Sequence, residues 1–373
     1  MKHIKIFSFF SGAGFLDLGF EKAGGYDIVF INEFSATFNR IYQYAREKMG
    51  IKTCSSIEYK ICSIESLDIK KLYSKVTYFK QKSSLVGFIG GPPCPDFSVA
   101  GKNKGKEGEN GRLSKTYIDL ICHCKPDFFL FENVKGLYRT RKHREFFYEL
   151  CAHLIKNKFI LTHTILNAFE YGVAQDRDRL ILFGVRSDVL KESTKCHDNG
   201  YLLDFPWSST KKYKRELIER LKWPAKEVFK ERGIKNIPRG IIKKLTVEYW
   251  WNKNNVRKHP NQDMYFKPKG AIVKFKTIEE GDVSQLSFKR LHRWRYSPTA
   301  AYGNNEVHLH PYLPRRISVA EALAIQSLPP EFELPVDIPL SAAFKTIGNG
   351  VPYLLALSIA KNIKTYLKDV SKN

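Results

Sequence analysis

The residue type best suited to covalent chemistry is a cysteine, Cys94, in an unusual setting. A short apolar run over 85–90 ends at a Gly-Gly pair and is followed by Pro-Pro-Cys-Pro at 92–95. Proline fixes φ and restricts the residue before it, so the thiol lies in a stiff, irregular loop after a strand. Reactive cysteines favour partly open, electropositive places, whereas packing cysteines lie buried in regular elements. The segment predicts a nucleophile; a rigid structural turn is the alternative.

A carboxylate and two guanidinium groups are further candidates. Glu132 ends the apolar run 128–131. An acid against an apolar wall tends to have a raised pKa and can donate or accept a proton, although a solvated strand-end residue is the alternative. In an extended chain Gln175, Arg177 and Arg179 share one side. The two arginines could neutralise a thiolate or bind a phosphate, and surface ion pairs with neighbouring aspartates are the alternative.

The first strand leads into a glycine turn typical of a nucleoside site. Gly12 and Gly14 allow a tight turn and close approach to a ligand, but Asp17 stands where a dinucleotide fingerprint has its third glycine. Glu33 ends the second strand, where an acid can bind the two hydroxyls of a ribose. The pattern predicts a nucleoside-bearing cofactor without a pyrophosphate; an ordinary strand-to-helix turn is the alternative.

These residues follow the ends of strands in an alternating pattern. We predict strands over 4–10, 26–33, 85–90, 127–132, 160–166 and 179–185, and helices over 15–23, 34–49, 117–124, 142–157, 211–222, 318–327 and 353–366. Apolar strands that alternate with helices favour an α/β fold, a mostly parallel sheet with helices on both faces. Ligands bind such sheets beyond the carboxyl ends of the strands.

Charge is distributed unevenly along the 373 residues. The chain has 62 Lys and Arg against 38 Asp and Glu, a net charge of +24, which favours a polyanionic partner. More than half of that surplus, and all five tryptophans, lie within 191–315. We therefore expect a second, irregular, basic domain whose tryptophans mostly form its core. A generally basic protein without a nucleic-acid role is the alternative.

The cysteines and the apolar runs indicate the cellular compartment in which the protein acts. Seven scattered cysteines without a Cys-x-x-Cys pair suit a reducing environment. Cys122 and Cys124 point to different sides of a predicted helix, so we expect no metal site. The N-terminus lacks the features of a signal peptide, and no apolar run approaches 18 residues. We expect a cytoplasmic protein, associated with the nucleoid in a bacterium, without membrane contact.

Seven segments, taken together, resemble the C5-cytosine DNA methyltransferases. They lie in that family's order and are Phe10-Ser11-Gly12-Ala13-Gly14-Phe15, Asn32-Glu33-Phe34, Gly90 to Ser98, Glu132-Asn133-Val134, Gln175-x-Arg177-x-Arg179, Arg315 to Ala322, and Gly348-Asn349-Gly350-Val351-Pro352. The resemblance implies a Rossmann-like catalytic domain over 1–188 and 331–373 and a smaller target-recognition domain over 189–330. It also implies S-adenosyl-L-methionine as cofactor, bound by Phe10, Gly12, Ala13, Gly14, Phe15, Glu33, Phe34, Pro92, Asn349 and Val351.

The resemblance assigns catalytic roles to four residues. Cys94 would attack C6 of a cytosine flipped out of duplex DNA, and C5 would then accept the methyl group. Glu132 would bind N3 and the exocyclic amine, while Arg177 and Arg179 would position the base and its backbone. The polar stretch 101–115 resembles a mobile loop that closes over DNA, with a disordered surface loop as the alternative.

Two positions depart from the family pattern, and two rival functions remain. Ser63 stands where an acid usually contacts the adenine amine, and Phe15 where glycine is common. A tRNA cytosine-5 methyltransferase on the same scaffold is one rival, and a catalytically inactive DNA-binding relative is the other. We expect a monomeric, sequence-specific enzyme of a restriction–modification system that acts on double-stranded DNA, with a cognate restriction endonuclease encoded nearby as a partner.

Overall fold

A computed structural model of the chain describes residues 3–51, 57–82, 84–93, 109–268, 270, 272–285, 287–300, 302 and 307–372, with only the backbone described at 109–110. Cys94 and positions 101–108 of the predicted loop lie outside these ranges.

A seven-stranded sheet forms the centre of the molecule. Its strands are β1 (Ile4–Phe9), β2 (Tyr26–Asn32), β3 (Glu58–Lys60), β4 (Val86–Gly90), β5 (Phe128–Val134), β6 (Phe159–Asn167) and β7 (Asp178–Arg186). Their order is β3-β2-β1-β4-β5-β7-β6. Strand β7 is antiparallel to both of its neighbours, and the other pairs are parallel. The predicted α/β fold with a mostly parallel sheet is confirmed.

Twelve α-helices in the described ranges accompany the sheet. They are α1 (Phe15–Ala23), α2 (Ala36–Lys48), α3 (Ile69–Gln81), α4 (Glu109–Cys124), α5 (Gly136–Arg139), α6 (Arg141–Lys156), α7 (Arg215–Arg220), α8 (Val247–Lys253), α9 (Lys274–Thr277), α10 (Val319–Ile325), α11 (Leu340–Asn349) and α12 (Tyr353–Val370). Helices α1 and α12 cover one face of the sheet, and α3, α4 and α6 cover the other. Within the described ranges, no helix combines the length and the apolarity that a membrane span requires.

The start of α4 corrects one prediction. Residues 109–115, expected in a mobile loop, form the first turns of this helix. Gly111, Ser114 and Tyr117 are buried at helical spacing. Because the first two are small rather than apolar, the hydrophobic pattern did not reveal the turn. Helices α3 and α11 were also not predicted, and the helix predicted over 211–222 shortens to α7.

The segment between β7 and α10 is irregular and basic, as expected. Trp250 and Trp251 are buried, and the other three tryptophans are half-buried, so the aromatic residues do serve packing. One hydrophobic cluster joins this segment to the first helix, since Phe15 lies in the same cluster as Trp251 and Leu323. The division into 1–188 with 331–373 and 189–330 stays a prediction.

Candidate active site

Glu132 and Arg179 form a buried ion pair at the edge of the sheet. Val134, near the end of β5, is the register partner of Arg179, near the start of β7. The Arg179 Nε donates to Glu132 Oε1 at 2.8 Å, and both side chains are about one-tenth exposed or less, at 10% and 7%. The predicted carboxylate and one predicted arginine therefore lie together, fixed by two adjacent strands.

The buried environment of Glu132 shifts the pKa of its carboxyl. Burial raises the pKa of this carboxyl above its ordinary value, and the positive charges of Arg179 and Arg177 oppose that rise. A carboxyl of this kind can take up and hold a proton closer to neutral pH than a solvated one. The sequence placed Glu132 at the end of an apolar run, and this position accounts for the burial of its side chain.

The backbone that leads towards Cys94 passes directly over Glu132. A Cβ at Gly91 would lie 2.7 Å from Glu132 Oε2, so a larger residue would force the loop or the carboxylate to shift. The Asn133 Nδ2 donates to the carbonyl of Pro92 at 3.5 Å, and its Oδ1 accepts from the Val134 N–H at 2.9 Å. The strand that carries the carboxylate therefore also holds the loop. Cys94, three positions after Gly91, lies outside the described residues.

Arg177 is directed elsewhere. It is fully buried, and its guanidinium donates to three backbone carbonyls, those of Ala300 at 2.9 Å, Gly348 at 2.6 Å and Gly350 at 3.2 Å. These contacts join the start of β7 to the C-terminal glycine segment. In the described structure Arg177 therefore braces the chain around the site, and Arg179 pairs directly with the carboxylate.

Two polar residues that the sequence analysis did not single out also brace the chain around the site. Asn167, at the end of β6, donates through Nδ2 to Asp176 at 2.7 Å and to Asp178 at 2.8 Å. Gln326 donates to the carbonyl of Ile347 at 2.7 Å and accepts from Gln175 at 3.3 Å. The sequence signal was weak, because single amides inside apolar segments are common. Both side chains are buried, and the folded structure reveals their partners: two aspartates for Asn167, and an amide and a backbone carbonyl for Gln326.

The glycine turn and Glu33 form the second part of the site. Gly12 and Gly14 have φ of 56° and 75°, the left-handed region that favours glycine. Glu33 Oε2 accepts from the Gly12 N–H and Oε1 from the Ser35 N–H, each at 2.8 Å. Burial raises the pKa of Glu33, and these N–H donors oppose the rise. The acid at the end of β2 is thus fixed against the turn at the end of β1.

A side chain at Gly12 would make only an ordinary packing contact, and an exposed ring lies near this turn. A Cβ at Gly12 would find no atom closer than Thr346 Oγ1 at 3.8 Å. Phe34, next to Glu33, is 77% exposed, which is unusual for a phenyl ring and leaves one face available for stacking. The predicted nucleoside site therefore combines an exposed ring with an acid fixed at the glycine turn, and its ligand stays a prediction.

The other predicted cofactor residues occupy different positions. Asn349 is exposed at the end of α11 and Phe10 is half-buried with φ of 51°. Four more are buried: Ala13, Phe15, Pro92 and Val351. The ring of Phe15 packs edge-on against Phe332 at 5.2 Å in the core, so its side chain does not line the pocket with Phe34.

Ser63, the departure from the expected acid, has a local structural role. Its Oγ accepts from the Glu65 N–H at 3.3 Å and begins a short 3₁₀ turn, Ile64–Ser66. Nearby, Asn32 Nδ2 donates to the carbonyls of Lys60 and Cys62, at 3.0 and 2.9 Å. An adenine contact at this position would therefore have to come from a neutral hydroxyl or from backbone.

Comparison with known proteins identifies the family. The model for "C-5 cytosine-specific DNA methylase" matches residues 4–365. The chain belongs to this family. The predicted family and enzyme class are thereby confirmed, and the methylase is a DNA (cytosine-5-)-methyltransferase.

Relatives and solved structures resemble the methylase over almost its whole length. The Type II methyltransferase M.NmeDI of Neisseria meningitidis serogroup C is 54% identical over 372 residues, 99% of this chain and 85% of that protein. M.FnuDI, a Type II methyltransferase of Fusobacterium nucleatum, is 30% identical over 392 residues, which cover 99% of this chain and 96% of that protein. A crystal structure described as a DNA modification methyltransferase from an E. coli prophage shares the fold, with a TM-score of 0.65, 19% identity, and coverage of 98% and 99%.

Proposed function

We propose that the methylase is a sequence-specific DNA methyltransferase of restriction–modification type whose base pocket is built on Glu132 and Arg179. The observation that carries this proposal is the buried 2.8 Å pair between these side chains, directly under the backbone of Gly91. The names of the 54% and 30% identical relatives, both Type II methyltransferases, support the restriction–modification role.

Cys94 acts as the nucleophile in this proposal. Its thiolate forms a bond to C6 of the target cytosine, and the electron pair of the C5–C6 double bond becomes available at C5. Glu132 binds N3 and the exocyclic amine, and it holds the proton that balances the charge developing at N3. After methylation, loss of the C5 proton and departure of the Cys94 sulfur restore the ring.

Arg179 and the Gly91 backbone orient the carboxylate. The guanidinium donates to Oε1, while Oε2 faces the loop that precedes Cys94. An ion pair of this kind, out of water, keeps one orientation, which favours a fixed position for the base. We assign Arg177 to positioning of the surrounding chain, because its hydrogen bonds go to three backbone carbonyls.

The donor of the methyl group is S-adenosyl-L-methionine, which supplies an electrophilic methyl on a sulfonium. Glu33 would bind the ribose hydroxyls, Phe34 would stack on the adenine, and the turn from Phe10 through Phe15 would approach the donor through its backbone. Pro92, Asn349 and Val351 would complete the pocket from the neighbouring segments. The 3.8 Å separation between a Cβ at Gly12 and Thr346 Oγ1, which leaves the turn uncrowded, and the exposure of Phe34 support this assignment.

Double-stranded DNA is the proposed substrate, and the basic segment within 189–330 is the proposed docking surface. A net charge of +24 suits phosphate contacts, so affinity should fall steeply with salt. The base must leave the duplex before Cys94 can reach C6. A monomeric state, a cytoplasmic location and a cognate endonuclease stay predictions.

Transfer of a tritiated methyl group tests the proposal. Wild-type enzyme is incubated with labelled donor and either duplex DNA or tRNA, and C94S and E132Q are compared with it. We expect label in DNA only, near-complete loss in both variants, and donor binding retained by both. Label in tRNA alone would support the RNA rival. No label in either substrate would support an inactive relative.

Covalent trapping tests the chemistry of Cys94 separately. A duplex with 5-fluorocytosine at the target cannot lose a proton from C5, so the enzyme should stay attached to it in the presence of donor. We expect a denaturation-resistant conjugate with wild type and none with C94S. Absence of a conjugate on DNA that is otherwise methylated would overturn the proposed attack on C6.

A further inference from the structure

Arg46 is a fully buried arginine that contacts the glycine turn from behind. It lies near the end of α2, with no exposed surface. Its Nη1 donates to the carbonyl of Ala13 at 3.0 Å, and its Nη2 donates to the carbonyl of Gly14 at 2.6 Å. One planar group therefore binds two successive carbonyls of the turn that precedes α1.

The packing around this guanidinium is close on both sides. Its carbon lies 3.8 Å from the centroid of the Tyr42 ring, one helical turn earlier on α2. A Cβ at Gly14 would lie 2.6 Å from Arg46 Nη1 and 2.3 Å from Tyr42 Cε2. Glycine at position 14 is thus required both by its positive φ and by the approach of these two side chains.

Acidic residues of α1 balance the buried charge. Arg46 Nη2 also donates to Glu21 Oε2 at 3.1 Å, and the Glu21 side chain is 15% exposed. Burial acts to lower the pKa of Arg46, but Glu21 and the neighbouring acidic groups outweigh it and hold the pKa above its usual value. The guanidinium is therefore charged when it binds the turn, and charged donors make stronger hydrogen bonds.

The same helix fixes the turn at two points. Glu33, just before α2, accepts from the Gly12 N–H, whereas Arg46, about 15 Å along the helix from Ala36, donates to the carbonyls of Ala13 and Gly14. Phe34 stands at the first of these points. Helix α2 thereby links the residues placed for ribose and adenine to the backbone of the turn.

We propose that Arg46 is a positioning residue for the methyl donor: it fixes Ala13 and Gly14 in the conformation that the donor binds. This inference rests on the proposed function, in which the turn forms part of the donor pocket. Lysine cannot replace arginine here, because one ammonium cannot present two coplanar donors to two carbonyls.

Substitution R46K tests the proposal, with R40K as the matched control. Arg40 lies on the same helix but is exposed and pairs with Asp337. Loss of a charged hydrogen bond corresponds to about a tenfold change in affinity or more. We therefore expect R46K to raise the Kd and KM for S-adenosylmethionine by at least about tenfold. The kcat at saturating donor, and the Kd for duplex DNA, should stay close to the wild-type values, and R40K should match wild type throughout.

Several outcomes would overturn the inference. The inference fails if R46K and R40K bind the donor with equal affinity. It also fails if R46K loses kcat, donor affinity and DNA affinity in parallel, because that pattern indicates a general folding defect. If R46K does not fold, E21Q serves instead: it removes the anion that holds Arg46, and we expect a measurable rise in donor Kd with DNA affinity unchanged. An unchanged donor Kd in E21Q overturns the inference. Failure of wild type to bind donor would instead overturn the proposed function.

Discussion

Arg177 donates through Nη2 to the carbonyl of Gly348 at 2.6 Å, across 171 positions of the sequence. The bond joins the segment before β7 to the end of α11. Because the same guanidinium reaches Ala300 and Gly350, it links the start of β7 to the C-terminal glycine segment.

The first prediction concerns R177K. Lysine keeps the charge but cannot serve three carbonyls in the arginine geometry, so buried acceptors lose their partners, each at roughly 1–3 kcal/mol. We expect a clear fall in Tm by differential scanning fluorimetry and weaker donor binding. R179K, which keeps a cation near Glu132, should lower kcat with a smaller change in Tm. A stable R177K enzyme with a defect confined to base binding would contradict this role.

The second prediction concerns G91A. The added methyl group would lie 2.7 Å from Glu132 Oε2, so either the loop or the Glu132–Arg179 pair must shift. A misplacement of about 1 Å can lower a rate by roughly 100-fold. We expect single-turnover methylation to slow by at least about tenfold, with unchanged donor Kd. G270A is the control, since a Cβ there meets open space, and equal rates in the two variants would refute the expectation.

The third prediction concerns F34A. The ring is 77% exposed, so its loss should change the free energy of unfolding by no more than about 0.5 kcal/mol. Stacking of an aromatic ring on a base contributes about 1–3 kcal/mol, so donor Kd, measured by calorimetry, should rise roughly tenfold or more. Y73A removes another exposed ring, on α3, and should leave donor Kd unchanged. The assignment of Phe34 to the donor pocket fails if both variants bind donor equally.

The fourth prediction concerns Asp17, beneath the glycine turn. It is fully buried and accepts from the Ser8 hydroxyl at 2.7 Å. Burial raises the pKa of Asp17 to about 6, against the opposing effects of Arg46 and Ser8. A raised pKa in the folded state means that ionisation of Asp17 destabilises the fold. The resulting loss in the free energy of unfolding is absent below the unfolded-state pKa near 4 and complete above about pH 6.

Substitution D17N should remove this pH-dependent loss. The free energy of unfolding of D17N, relative to wild type, is expected to increase from pH 4 to pH 7 by roughly 3 kcal/mol and then to level off. Urea titrations of both proteins at several pH values measure the difference between their free energies of unfolding. Because the other titrating groups are the same in both proteins, their contributions cancel in this difference. A difference that does not change with pH would show that Asp17 has an ordinary pKa.

The alternation of strands and helices predicted most of the sheet, because buried parallel strands form apolar runs with clear ends. It placed Gly12, Glu33 and Glu132 at or just beyond strand ends. In the structure Glu33 directly follows β2 and Gly12 lies shortly after β1, whereas β5 continues past Glu132 to Val134. Helix α3 was not predicted, because the exposed apolar residues Ile69 and Tyr73 on its outward face obscure the amphipathic pattern.

The direction of Arg177 could not be predicted from spacing. In an extended chain it shares a side with Arg179, but β7 begins only at Asp178, and the partners of Arg177 lie 123 to 173 positions away. Arg46 gave no sequence signal either. Its position in an amphipathic helix is that of an ordinary surface residue, and only the closeness of α2 to the turn makes it internal.

The reversed direction of β7 determines which residues can share the rim of this sheet. In an all-parallel arrangement the first residue of a strand lies at the opposite rim from the last residue of its neighbour, about 20 Å away for seven residues. Since β7 runs the other way, Arg179, which follows a connecting segment, meets a carboxylate at the end of β5. Position 181, two residues further along β7, shares this face and lies directly opposite Glu132 in the register. The reversal therefore makes the first residues of β7, rather than its last ones, the neighbours of this carboxylate.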